Sequence, residues 1–136
     1  ASDVYKRQLF KSFQTLKRKD FPRAKRAFLE FKTGMRRHVA WEEDVMFPLW
    51  EKKSGQTGGG PTIVMRREHQ EIQDCLESID RKLQAQNPET DHEEEILLDL
   101  VDRHYMSEEE VLYPEMDHLM TPEERAAAVR AIEKLA

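Results

Sequence analysis

Five side chains in this sequence are of types that could together hold metal ions: His38, Glu42, His69, His104 and Glu108. His38 and Glu42 stand four residues apart, and so do His104 and Glu108. On a helix that spacing turns both side chains to one face, separated by about 6 Å of rise. Neutral imidazole and carboxylate are ordinary ligands of a transition-metal cation. One such pair carries little weight, because on an arbitrary helix it is usually solvated. Here it occurs twice, inside a longer repeat.

His38-Val39-Ala40-Trp41-Glu42-Glu43-Asp44-Val45-Met46-Phe47-Pro48 matches His104-Tyr105-Met106-Ser107-Glu108-Glu109-Glu110-Val111-Leu112-Tyr113-Pro114 at an offset of 66 residues. The same offset pairs Leu76 with Phe10, Ile79 with Phe13, Leu97 with Phe31 and Val101 with Met35. The chain therefore reads as two helical hairpins of similar design, related by a pseudo-twofold axis.

The elements that must position these residues follow from the breakers. Asp20-Phe21-Pro22 separates a first helix, ending near Leu16, from a second running from Pro22 to about Trp50. Pro22 suits a first helical turn, where its missing N–H costs nothing. Residues 54–61, rich in glycine, form a flexible loop near the middle. A third helix is predicted from about Thr62 to Gln86; Asn87-Pro88-Glu89-Thr90-Asp91 makes a turn, and a fourth helix follows to about Tyr113, ended or bent by Pro114. Thr121-Pro122-Glu123-Glu124 reads as the cap and acidic first turn of a short terminal helix. Four long helices with short connections predict an all-α fold: an antiparallel up-down-up-down four-helix bundle with a short C-terminal helix, in a single domain spanning residues 1–136.

Apolar stripes locate the core. Phe28, Phe31, Met35, His38, Glu42, Val45 and Leu49 recur at steps of three and four on the second helix. Met65, His69, Ile72, Leu76, Ile79 and Leu83 do so on the third, and Leu97, Val101, His104, Glu108 and Val111 on the fourth. Only His and Glu interrupt these stripes. An unpaired buried carboxylate costs many kcal/mol or takes up a proton, so the interruptions call for a bound cation. Trp41, Met46 and Met106 are read as core side chains near the ligand layer, and Cys75 as a packing residue beside its stripe.

Of 136 residues, 36% are charged and 38% apolar, with a formal net charge of −5. That balance suits amphipathic helices, and it offers no basic patch for nucleic acid. The basic pairs Arg36–Arg37 and Arg66–Arg67 and the run Lys17–Arg18–Lys19 are read as solvated surface. One cysteine cannot form an internal disulfide. No apolar run approaches the roughly 18–20 residues of a membrane span, and no signal peptide is visible, so the expected setting is cytoplasmic with no membrane partner. Glu89-x2-His92 and Glu115-x2-His118 match the Glu-x2-His pattern of ferritin-like di-iron proteins, but both follow a proline outside the stripes and are read as surface. No His-Glu-x2-His zinc motif is present.

The segments His38-x3-Glu42-Glu43 to Phe47-Pro48, Gly60-Pro61-Thr62-x2-Met65-x2-Glu68-His69-x2-Ile72, and His104-x3-Glu108-Glu109 to Tyr113-Pro114 resemble the hemerythrin-like (HHE cation-binding) family. The resemblance implies two non-haem irons bridged by Glu42 and Glu108, with His38, His69 and His104 as terminal ligands. It also implies one more His from the first helix. The repeat places that ligand at Asp3, within Asp3-Val4-Tyr5-Lys6-Arg7-Gln8, which resembles the translated end of a transposon adapter used in sequencing libraries. Residues 1–8 are accordingly read as non-native, the first helix as truncated, and one iron as better held than the other. Oxygen-carrying hemerythrins have a further His where Gln73 stands, which argues against a simple reversible oxygen carrier. The implied function is binding or sensing of dioxygen, nitric oxide or related small oxidants, or iron handling. Peroxide reduction, iron delivery for cluster repair, and a metal-free helical interaction module are the alternatives.

Overall fold

The computed structural model describes the backbone of residues 2–55 and 60–134 and the side chains of residues 5–55 and 60–131. Most of the central loop, residues 56–59, lies outside them, as does the side chain of Asp3. The chain is all-α, with no strand among the described residues. Helix α1 spans Ser2–Leu16, α2 Phe21–Trp41, α3 Phe47–Ser54, α4 Pro61–Gln84, α5 Asp91–Ser107, α6 Tyr113–Leu119 and α7 Pro122–Lys134. Two π-helical turns, Glu42–Met46 and Glu108–Leu112, join α2 to α3 and α5 to α6 without a break.

Local chemistry sets the boundaries. The Asp20 side chain accepts the N–H of Arg23 at 3.3 Å, capping α2 just ahead of Pro22. Helix α4 stops two residues earlier than periodicity suggested, because Gln86 adopts φ 60 and Asn87 donates its N–H back to the Lys82 carbonyl at 2.8 Å. Before α7, the Thr121 hydroxyl accepts the N–H of Glu124 while the Glu124 carboxylate accepts that of Thr121, a reciprocal capping box.

Helices α1, α2, α4 and α5 enclose the main core. Phe10 packs on Phe31 and Phe13 on Phe28, with ring centroids 4.9 and 5.2 Å apart. Lys32 pairs with Asp80 and Arg36 with Glu77 between α2 and α4. His69 meets His104 and Lys82 pairs with Glu93 between α4 and α5. Gln14 reaches Glu94, and the Arg7 guanidinium lies over Tyr105, between α1 and α5. In all four helix pairs, residue numbers rise along one partner as they fall along the other. Phe13, Phe28, Ile72, Ile79 and Leu97 are completely buried, each contributing about 1.5–3 kcal/mol.

The π turns correct the inward stripes. Val45, Leu49 and Val111 were placed on the core face, but Val45 and Leu49 are only half-buried and Val111 is 46% exposed. Met46, Trp50 and Leu112 are buried instead, each one position later, and Met116 continues the shifted stripe. Pro48 and Pro114 are the cause. A proline has no N–H, and its ring clashes with the carbonyl four residues back, so the α-helical ladder cannot run through it. The N–H groups of Phe47 and Tyr113 reach back five residues, to the carbonyls of Glu42 and Glu108. Each wider turn takes up one extra residue and moves the apolar stripe on by one.

Two further expectations change. Met106 is not core but 57% exposed, since it lies two residues beyond His104, on the opposite side of α5. Lys17 is not solvated surface; it is 2% exposed and forms ion pairs with Glu94 and Asp91. The stem of Lys17 continues the buried face of α1, and the Glu94 carboxylate, itself 4% exposed, lies where the ammonium arrives. Arg66 is half-buried, with its guanidinium 5.2 Å from the Phe47 ring centroid and 3.2 Å from Glu51. His92 and His118 are exposed, as their positions after proline suggested. Among the described residues no helix is long and apolar enough to cross a membrane.

Candidate metal centre

His38 and His104 occupy the last turns of α2 and α5, and Glu42 and Glu108 open the π turns that follow. His69 comes from the middle of α4. The structure brings all five side chains together at one depth. His38, Glu42, His104 and Glu108 each offer a ligand atom, and these four atoms lie within 4.8 Å of one another. His69 Nε2 joins them, 2.8 Å from Glu42 Oε1 and 3.1 Å from His104 Nε2. Glu42, His69 and His104 are at most 1% exposed, Glu108 3% and His38 9%.

The donors converge. Glu42 Oε1 is approached by His38 Nε2 at 3.1 Å, His69 Nε2 at 2.8 Å and His104 Nε2 at 3.5 Å. Glu108 Oε1 faces His38 Nε2 at 3.1 Å and His104 Nε2 at 2.5 Å. Glu42 Oε2 is buried and has no hydrogen-bond partner among the described residues. Such an orphaned carboxylate oxygen, beside three imidazole nitrogens aimed at a common point, fits a bound cation.

Electrostatics agree. Burial pulls the His38 pKa down, but hydrogen bonds to Glu108 and Glu42 outweigh it and raise it to about 9. Burial acts likewise on His104, and hydrogen bonds chiefly to Glu108 and Glu42 carry it to about 10. Burial pushes the Glu42 and Glu108 carboxyls up, yet hydrogen bonds from the imidazoles hold both below the ordinary carboxylate value. Without metal, protons occupy the positions a cation would take.

An outer layer fixes the rings, and sequence reasoning gave it no role. His69 Nδ1 lies 3.1 Å from Glu43 Oε1, and His104 Nδ1 lies 2.9 Å from Glu68 Oε1. Ser107 donates its hydroxyl to Glu68 at 3.2 Å. Carboxylates on the far nitrogens hold Nε2 toward the centre and make the imidazoles better donors. The Tyr113 hydroxyl donates to Glu108 Oε2 at 2.6 Å. The Phe47 ring stacks on His69 at 5.6 Å, with the Arg66 guanidinium on Phe47. The signal for Glu43 and Glu68 lay in their adjacency to ligand positions; Glu109, the repeat partner of Glu43, is exposed, so the repeat could not reveal the role.

The further first-helix ligand, expected at Asp3, falls on a side chain outside the described residues. No curated protein and no solved structure matches the chain. The model of the hemerythrin HHE cation-binding domain matches residues 5–115, which takes in both π turns and all five converging side chains, and the chain belongs to that family.

Proposed function

We propose that this chain is a non-haem di-iron domain that binds or senses dioxygen, nitric oxide or a related small oxidant. Glu42 and Glu108 would bridge the two ions, with His38, His69 and His104 as terminal ligands. The observation that carries this reading is the convergence of three imidazoles and two carboxylates, with Glu42 Oε2 left unpaired. The donor set alone would also suit zinc or copper; family membership favours iron. The reading takes the four long helices as an up-down-up-down bundle, supported by the opposed numbering across their contacts.

When bound, a ferrous pair supplies electrons and an open coordination position to an oxidant. The chain's own residues supply the rest. Glu43 and Glu68 orient His69 and His104, Tyr113 holds Glu108, and Phe47 keeps water from the His69 ring. In the test, anaerobically iron-loaded protein is exposed to air and its near-ultraviolet and visible absorption followed. A new absorption band is expected. Stoichiometric iron without any spectral response to dioxygen or nitric oxide would remove the reading.

A further inference from the structure

The two halves of the repeat diverge just beyond the carboxylates. At the offset of 66 residues, Phe47 corresponds to Tyr113 and Trp50 to Met116. In the first half Phe47 is 0% and Trp50 2% exposed. In the second, where the slimmer Met116 stands in place of the indole, a cavity of about 150 Å³ lies between the end of α2, the first π turn, α6 and α7.

Trp41, Met46, Tyr113, Met116, Met120 and Ala128 form most of its wall. Arg125 and Asp117 also line it; they pair at 2.9 Å, and both side chains are more than half exposed, so the polar groups sit at the outer rim. Two wall residues also border the metal centre. The Tyr113 hydroxyl reaches Glu108, and the Trp41 ring centroid lies 6.2 Å from that of His38. The Trp41 indole N–H donates to the Ala128 carbonyl at 2.6 Å, tying α7 over the cavity.

We propose that this cavity is the chamber through which a small apolar diatomic gas reaches the metal centre, arriving on the Glu108 side. The inference rests on the metal-centre reading and adds the route and the class of ligand. A mostly apolar space of this size can hold small apolar guests and offers water few partners. Ions would have to shed their hydration to enter it. The gas therefore has a path that charged oxidants and reductants lack. Tyr113 marks its inner end, where the lining changes from thioether and aromatic carbon to the ligand carboxylate.

Xenon tests the chamber and gases test its use. With methionine methyl groups isotopically labelled, xenon pressure should shift the Met46, Met116 and Met120 resonances of the wild-type protein. Met116→Trp, which installs the residue of the other half, should abolish those shifts. Ala128→Leu fills the space from α7 and guards against a folding defect in the first variant. In iron-loaded protein both variants should react several-fold more slowly with dioxygen and nitric oxide at unchanged iron content, whereas Tyr113→Phe should keep xenon binding. Absence of xenon shifts in the wild-type protein overturns the chamber. Gas reactions as fast in both filled variants as in the wild-type protein overturn its role as the route. Failure of iron-loaded wild-type protein to react with either gas, with xenon still bound, rejects the di-iron reading and the gas route with it.

Discussion

The Nε2 atoms of His69 and His104 face each other across 3.1 Å, both side chains 1% exposed. Two imidazoles can meet so closely only when one gives the other a proton or both give lone pairs to a cation. The second arrangement also satisfies Glu42 Oε2. Chelator-stripped protein should therefore gain stability on adding ferrous iron anaerobically, by about 2.7 kcal/mol at a hundredfold excess over Kd. Glu42→Ala should abolish the gain. Thermal melting with and without metal measures both, and identical curves for the wild-type protein would count against a native metal site.

Glu68 and Glu43 contact His104 and His69, and through those rings they would act on a bound metal. Replacing either by Ala frees its ring to rotate and should weaken metal affinity by about 10–100-fold. Glu68→Gln, which can still accept from His104 Nδ1 but carries no charge, should recover part of the loss. Competition against a chromophoric chelator reads these affinities directly. Unchanged affinity in both Ala variants would show the outer carboxylates to be dispensable.

The pH dependence should reverse when metal binds. In the metal-free protein His38 and His104 are raised from an ordinary 6.5 to about 9 and about 10. Their contribution is complete below pH 6.5 and is lost as pH rises through 9 and 10. Glu42 and Glu108 are depressed, so their contribution is present above pH 4.5 and is lost as pH falls through their lowered values. Metal must displace the imidazole protons, so its affinity should increase toward pH 9–10 and binding should release protons. Calorimetry in buffers of different ionisation enthalpy counts those protons; none released between pH 7 and 8 would contradict the scheme.

Far from the metal, Lys17 neutralises Glu94 near the end of α1, where Thr90 also donates to the same carboxylate at 2.5 Å. Lys17→Met leaves that buried carboxylate without its cation and should cost about 3–5 kcal/mol. Lys17→Met combined with Glu94→Leu should recover much of the loss, because the unpaired charge goes too. Urea unfolding of the two variants measures the difference. A single variant within about 1 kcal/mol of wild type would show that the Glu94 carboxylate relaxes to solvent and that the ion pair contributes little.

Much of this was legible in the sequence because helical periodicity and breakers are local. His38, Glu42, His69, His104 and Glu108 interrupt apolar stripes, and the repeat groups His38 and Glu42 with His104 and Glu108. Periodicity failed where an added residue changed its phase, so Val45, Leu49 and Val111 were assigned inward when Met46, Trp50 and Leu112 are. Pro114 reads from sequence only as an end or a bend, and periodicity runs the second helix straight through Pro48 to Trp50. Lys17, Glu43 and Glu68 were missed for another reason. Their roles depend on which helix lies opposite, and a single helix's pattern does not carry that information.

Each π turn accommodates one residue more than a straight helix would hold over the same length. A change that would scramble a regular rod is thus already built into the second long helix of each hairpin, and the two carboxylates stand where it begins. Every hairpin carries two amphipathic patterns, offset by a single position, and the cluster of imidazoles lies at the seam between them. Straightening the rod by design would force a choice between the phenylalanine-rich layer on one side of that seam and the methionine-rich layer on the other.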